Sequence, residues 1–221
     1  MLRLHHYALC PFSRKVRIAL LEKELSAELT LLEPWRQPSE IIALNPAAEV
    51  PVLEDKIGPV SDSWAICEYL EETRPEPRLL GKGVVERTEV RRLVAWFDVK
   101  FMREVTDLIW GEKLLKRVRD GATPNSAAVR AGMSNIHAHL ECIGFLFERR
   151  NWLAGDFLSL ADIAAAAQLS VLDYLGDVPW EDHPEAKLWY ARFKSRPSFR
   201  PLLQDRLVGL KPAPHYDDLD F

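Results

Sequence analysis

Two periods alternate along the chain. Residues 2–7 switch apolar and polar positions one by one, the pattern of a short strand. Over 11–24 the period lengthens: Val16, Ala19, Leu20 and Leu21 recur at helical spacing. Pro11 opens this helix, where its missing N–H would have gone unpaired in any residue. A second strand is predicted over 27–32 and a short helix over 39–44, capped by Ser39 and stopped at Asn45-Pro46. Residues 50–54 and 57–61 then form a tight pair of strands, followed by a helix over 63–72. The stretch 73–83, with Pro75, Pro77, Gly81 and Gly83, is a linker.

Beyond the linker only helical signals remain. Val90, Val94, Phe97, Phe101, Val105 and Leu108 form a long core-facing stripe, 121–126 breaks it, and 127–149 is a second long helix. In "NWLAGDFLSLADIAAAAQL", Ser159 and Asp162 make a capping-box-like S-x-x-D ahead of an Ala-rich helix, with Leu158 placed to act as a hydrophobic staple. Further helices are expected over 184–195 and 198–207, and no internal repeat is visible. The order β-α-β-α-β-β-α is the thioredoxin-like arrangement. The fold class is therefore α/β plus all-α: residues 1–76 a thioredoxin-like domain, 77–84 a linker, 85–208 an all-helical domain, and 209–221 an extended tail.

Composition narrows the function classes. At 221 residues the chain supports one large domain or two small ones, and 48% hydrophobic with 28% charged residues is ordinary for a globular protein. A net charge of −4 with scattered Lys and Arg gives no nucleic-acid footprint. No apolar run is long enough for a transmembrane helix, so no direct membrane insertion is expected, and the N-terminus has no signal-peptide core. Cys10, Cys67 and Cys142 are an odd, widely spaced set without metal-ligand pairing, which fits a reduced, cytoplasmic protein with no metal.

Cys10 is the first candidate for chemistry. A thiol at a helix N-terminus meets the positive end of the dipole and unpaired N–H groups, which favour thiolate. Ser63, also at a helix N-terminus, offers its hydroxyl and N–H to a carboxylate, while Ser63 or Asp62 can equally cap the helix. Cys67 and Cys142 lie among apolar neighbours as core residues, and His5 and His6 point to opposite faces of a strand in structural roles. Arg91, Arg92 and the basic residues of 113–119 are expected on solvated helix faces, and Asp162 is a cap rather than a catalytic acid.

A thioredoxin-like half followed by a helical half, with "CPFSRKVRIAL", "LNPAAEVPVLED", "SDSWAICEYL" and "WLAGDFLSLADI" in this order, resembles the cytosolic glutathione S-transferases over residues 1 to about 208. The resemblance implies that Cys10 stands where the family handles the glutathione sulfur. It also implies that Pro51 is held in cis so that Val50 offers its backbone to an extended peptide, and that Asp62-Ser63 binds the γ-glutamyl group. Ser13 occupies the place of a second redox cysteine. The loop departs from the pattern: Ala48-Glu49 replaces the usual glycine and basic or small residue, and Glu49 places a negative charge near the expected glycyl carboxylate, a repulsion on the order of 1 kcal/mol.

Two features lie outside an enzyme plan. Trp35, between Pro34 and Pro38, is a loop tryptophan, the residue type that most often anchors interfaces. The end, "LKPAPHYDDLDF", cannot continue a helix through Pro212 and Pro214 and finishes on Tyr216, Asp217, Asp218, Leu219, Asp220 and Phe221, alternating acidic and apolar groups like a recognition peptide. With Glu49, these features resemble the alphaproteobacterial branch of the superfamily that keeps the transferase fold but binds filaments of the tubulin-like protein FtsZ. That resemblance implies a non-catalytic homodimeric adaptor at the division site, without cofactor, contacting FtsZ and other division proteins through Trp35 and the tail. The alternative is a glutathione-dependent transferase or thiol reductase using Cys10.

Overall fold

The computed structural model describes residues 1–36 and 38–219. Its first half holds β1 (Leu2–His6), α1 (Pro11–Glu22), β2 (Ala27–Leu31), α2 (Ser39–Leu44), β3 (Val52–Asp55), β4 (Gly58–Ser61) and α3 (Ser63–Thr73). The sheet runs β2-β1-β3-β4, with β1–β2 parallel and the other two pairs antiparallel. Leu4 lies opposite both Leu29 and Leu53, so the centre of the sheet is held between apolar neighbours. The order of elements along the chain, β-α-β-α-β-β-α, is the one predicted. β3 begins two residues late because Pro51, after a cis Val50–Pro51 bond, has no N–H to give a ladder. In α2 the cap position falls to Pro38, and Ser39 is the first helical residue.

The second half is helical. Helix α4 runs over 84–120 in three consecutive segments, Val84–Ala95, Trp96–Leu115 with wider π winding, and Lys116–Asp120. Then come α5 (Ser126–Phe147), α6 (Leu160–Leu175) and α7 (Pro184–Lys194). The stripe expected from periodicity faces the core at Val90, Val94, Phe97, Phe101 and Val105, all buried, whereas Leu108 at its end is only partly buried. Gly132 lets α5 approach α4, since a Cβ there would sit 2.7 Å from Ile109 Cγ1. The cap at Ser159 forms as predicted. The Asp162 carboxylate accepts from the Ser159 N–H at 3.1 Å and also from the Leu153 N–H at 2.9 Å and Trp189 Nε1 at 3.1 Å. The last expected helix shrinks to a three-ten segment, Arg200–Gln204.

Helix α1 joins the halves in a way its apolar pattern hid. Leu21 is 41% exposed, whereas Arg14, Lys15 and Arg17 are buried. Arg14 donates to Ala8 O (2.8 Å), Ser170 O (3.2 Å), Ser170 Oγ (2.9 Å), the Tyr216 hydroxyl (3.0 Å) and Asp205 Oδ2 (3.1 Å). Lys15 pairs with Asp98, and Arg17 with Asp205 at 2.8 Å. The basic residues of α1 are inter-domain bolts; a buried guanidinium with this many partners is costly to leave half-paired.

Residues 209–219 of the tail do not extend away. The Ala213 N–H donates to Tyr174 O at 2.9 Å, and turns close from Tyr216 N to Ala213 O (3.0 Å) and from Asp218 N to His215 O (3.1 Å). The Tyr216 ring is fully buried, edge-on to Tyr174 at 5.1 Å, and its hydroxyl donates to Leu202 O at 3.1 Å. An aromatic ring with a core cavity and a buried cationic partner gains more by folding back than by waiting in solvent.

Both strand histidines are largely buried, with His5 Nε2 2.7 Å from Glu54 Oε1. Burial, aided by Arg17, pushes His6 down to about 4 from an ordinary 6.5. Between these values the unfolded chain binds the proton and the folded chain does not, so stability is lost as pH falls through that window. The contribution is about 2–3 kcal/mol. Urea midpoints measured from about pH 7 to about pH 4.5 should fall with pH, and His6→Gln should flatten that slope.

Candidate functional site

A cleft of about 440 Å³ opens where the β3 entry loop meets the start of α3. It brings together Val50, Pro51, Asp62 and Ser63 of the expected set, and adds Phe12, Asn45, Ala47, Glu49 and Ser61. Asn45 shapes the loop: its amide nitrogen donates to Glu49 O at 3.0 Å, and its Oδ1 accepts from the Ala47 N–H at 3.2 Å. Ala48 holds φ +55°, a left-handed conformation that favours glycine; in a residue with a Cβ this costs on the order of 1 kcal/mol. The sequence reading missed Asn45 and Phe12, although Asn-Pro ahead of a strand is a loop-shaping signal.

The helix cap is settled at Asp62. Its Oδ1 accepts from the Trp64 N–H at 2.7 Å and the Ala65 N–H at 3.1 Å. Ser63 is free of that duty. It is 4% exposed, lines the cleft, and its hydroxyl has no hydrogen-bond partner among the described residues.

Cys10 behaves differently from the dipole argument. It occupies the cap position of α1 without a side-chain capping bond, and its Sγ lies 3.9 Å from Val50 O, behind the cleft wall. Burial pushes its thiol up, against hydrogen bonds from Ser13 and Phe12 that pull it down. Desolvation of the anion outweighs the helix terminus, so the resting group is a neutral thiol. Cys67, also buried, is pushed up to about 12.

The outer candidates separate. Trp35 sits in a three-ten turn (Pro34–Arg36), half-buried, edge-on to the Tyr7 ring at 4.8 Å. Tyr216, expected among partner contacts, belongs instead to the core. Asp217 and Asp218 are exposed, Asp217 pairing with Arg206 at 2.6 Å, and Leu219 packs partly buried on the core. Asp220 and Phe221 lie outside the described residues. Arg91 and Lys113 are not simply solvated: they pair with Glu68 (2.8 Å) and Asp177 (2.5 Å).

Comparison with known proteins fits this geometry. Residues 4–78 match the glutathione S-transferase N-terminal domain and 122–197 the C-terminal domain. FtsZ-localized protein A of Caulobacter vibrioides is 49% identical over 99% of this chain and 97% of that protein. A crystal structure titled a glutathione S-transferase from Rhodospirillum rubrum F11 superposes with a TM-score of 0.98 at 57% identity, covering all of both chains. That of FzlA from C. crescentus superposes at 0.96 with 50% identity, over 100% of this chain and 99% of the other. With both domain models matched in order and relatives aligned along its whole length, this chain belongs to the glutathione S-transferase superfamily.

Proposed function

We propose that this chain is an FtsZ-binding adaptor: a glutathione S-transferase fold that associates with filaments at the division site without turning over a substrate. The observation that carries the reading is the 49% identity to FtsZ-localized protein A across nearly both chains. The buried, protonated Cys10 supports the non-catalytic part, since a thiolate is the nucleophilic form. Trp35, Asp217 and Asp218 are the contact residues of this reading, with Asp220 and Phe221 continuing the tail. Two copies joined as a homodimer gain avidity on a repeating filament, so each site need only be weak. Among the described residues no helix is long and apolar enough to cross a membrane, which fits recruitment by a protein partner in the cytoplasm, FtsZ or other division proteins.

The competing reading is glutathione-dependent chemistry in the same cleft, which the open Ser63 hydroxyl favours and the Cys10 burial opposes. Co-sedimentation of variants with polymerised FtsZ separates them. Trp35→Glu should cut filament affinity at least about tenfold, because a half-buried aromatic anchor is lost. Cys10→Ala should stay within about twofold of wild type. Loss of filament binding in Cys10→Ala, with an unchanged melting curve, would contradict the assignment of the thiol to the scaffold.

A further inference from the structure

The two outer strands of the sheet, β2 and β4, are finished differently. β4 carries Pro59, a residue that blunts an edge because it has no N–H to offer a further strand. β2 holds no Pro, Gly or Lys. The Leu32 N–H donates to His6 O at 2.8 Å, and main-chain direction alternates along a strand. Thr30 and Glu28 therefore also face β1, while Ala27, Leu29 and Leu31 turn their N–H and C=O groups to the open side. Among the described residues no main chain pairs with that side. The edge is apolar as well. Leu29 is 49% and Leu31 62% exposed, and Leu29 lines a groove of about 250 Å³ with Leu20, Leu21, Leu25 and Pro201.

We infer that the open edge of β2 pairs with the same edge of a second copy of this chain, antiparallel about a two-fold axis at Leu29. The strand is self-complementary in this register. Leu29 faces Leu29 of the second copy and Ala27 faces its Leu31, so the outward main-chain groups meet in about six hydrogen bonds. Glu28, the only charged residue of β2, lies opposite Thr30 and is already neutralised by Arg3 at 3.1 Å. Just beyond the strand, Glu33 is paired with Arg36. The neighbouring register, centred on Glu28, sets two carboxylates face to face and leaves Leu31 without a partner. Pairing at Leu29 also takes the exposed leucines of both copies out of water together. Because one surface serves both copies, the contact is isologous and closed. Five-residue strands make a small interface, so the dissociation constant is expected on the order of 100 µM. The inference goes beyond the adaptor reading and does not depend on it.

The test is sedimentation equilibrium of the full chain from about 5 µM to about 500 µM, over which the weight-average mass should rise toward at least twice its dilute value. Leu29→Lys sets two ammonium groups across the axis and should weaken this association at least about tenfold. Leu29 is exposed, so this variant should melt like wild type, which keeps the readout on the contact. Register is read by oxidation with diamide. Leu29→Cys should form a covalent dimer at least about tenfold faster than Leu31→Cys, because only residue 29 meets its own copy, at a Cα separation of about 5.5 Å. A mass that stays constant with concentration, a rise that Leu29→Lys leaves unchanged, or equal cross-linking of the two cysteine variants each overturns the inference. Loss of FtsZ co-sedimentation in Leu29→Lys, with constant mass in the wild type, also overturns it and assigns the edge to the filament. A chain that self-associates through Leu29 but stays out of the FtsZ pellet keeps the β2 contact and loses the adaptor reading.

Discussion

Arg14→Met should lower the free energy of unfolding by about 3–5 kcal/mol, read as a fall in urea midpoint at unchanged slope. The side chain is fully buried and its donors satisfy the β1–α1 loop, α6 and the C-terminal segment together. Methionine fills much of the same length but donates nothing. The Ala8 and Ser170 carbonyls and the Tyr216 hydroxyl then lose their cationic donor, and Asp205 keeps only Arg17. Each such loss inside the protein costs about 1–3 kcal/mol, with partial relief from repacking. A change below about 1 kcal/mol would mean that the guanidinium is not what holds the two halves together.

The second large effect is expected at the other end of the same contact. Tyr216→Ala should cost about 3–5 kcal/mol and lower the melting temperature by on the order of 10 °C. It removes a ring with no exposed surface, vacates the space beside Tyr174 and strips a partner from Arg14. Tyr216→Phe, which loses only the hydroxyl, should cost about 1 kcal/mol. Because Arg14 and Tyr216 share a hydrogen bond, the double variant should fall short of the sum of the singles by about 0.5–3 kcal/mol. Asp217→Lys, on the exposed side of the same turn, should melt within a few degrees of wild type. Full thermal stability in Tyr216→Ala would return the tyrosine to the partner-facing set.

These two residues mark where the sequence was legible and where it was not. Strand and helix order followed from period alone, because burial on one face imposes period two or 3.6 wherever it occurs. The cap at Ser159-Asp162 was legible for a similar reason: its donors and acceptors lie three residues apart in the chain. Arg14 was not, since its partners stand up to 202 residues away and a charged side chain normally signals solvent. Tyr216 failed likewise. Acidic neighbours and two prolines describe a tail's surface, and the cavity that receives the ring is built by distant helices. At the site, Val50, Pro51, Asp62 and Ser63 were drawn together as expected, whereas the thiolate argument for Cys10 counted the helix terminus and omitted desolvation, which only the packed structure sets.

The most direct measurement is co-sedimentation of the purified wild-type chain with FtsZ polymerised by GTP, with a GDP control in which no polymer forms. At micromolar concentration the chain should pellet with polymer, saturate with rising FtsZ, and remain in the supernatant of the GDP control. A chain that stays in the supernatant while polymer pellets would contradict the adaptor account.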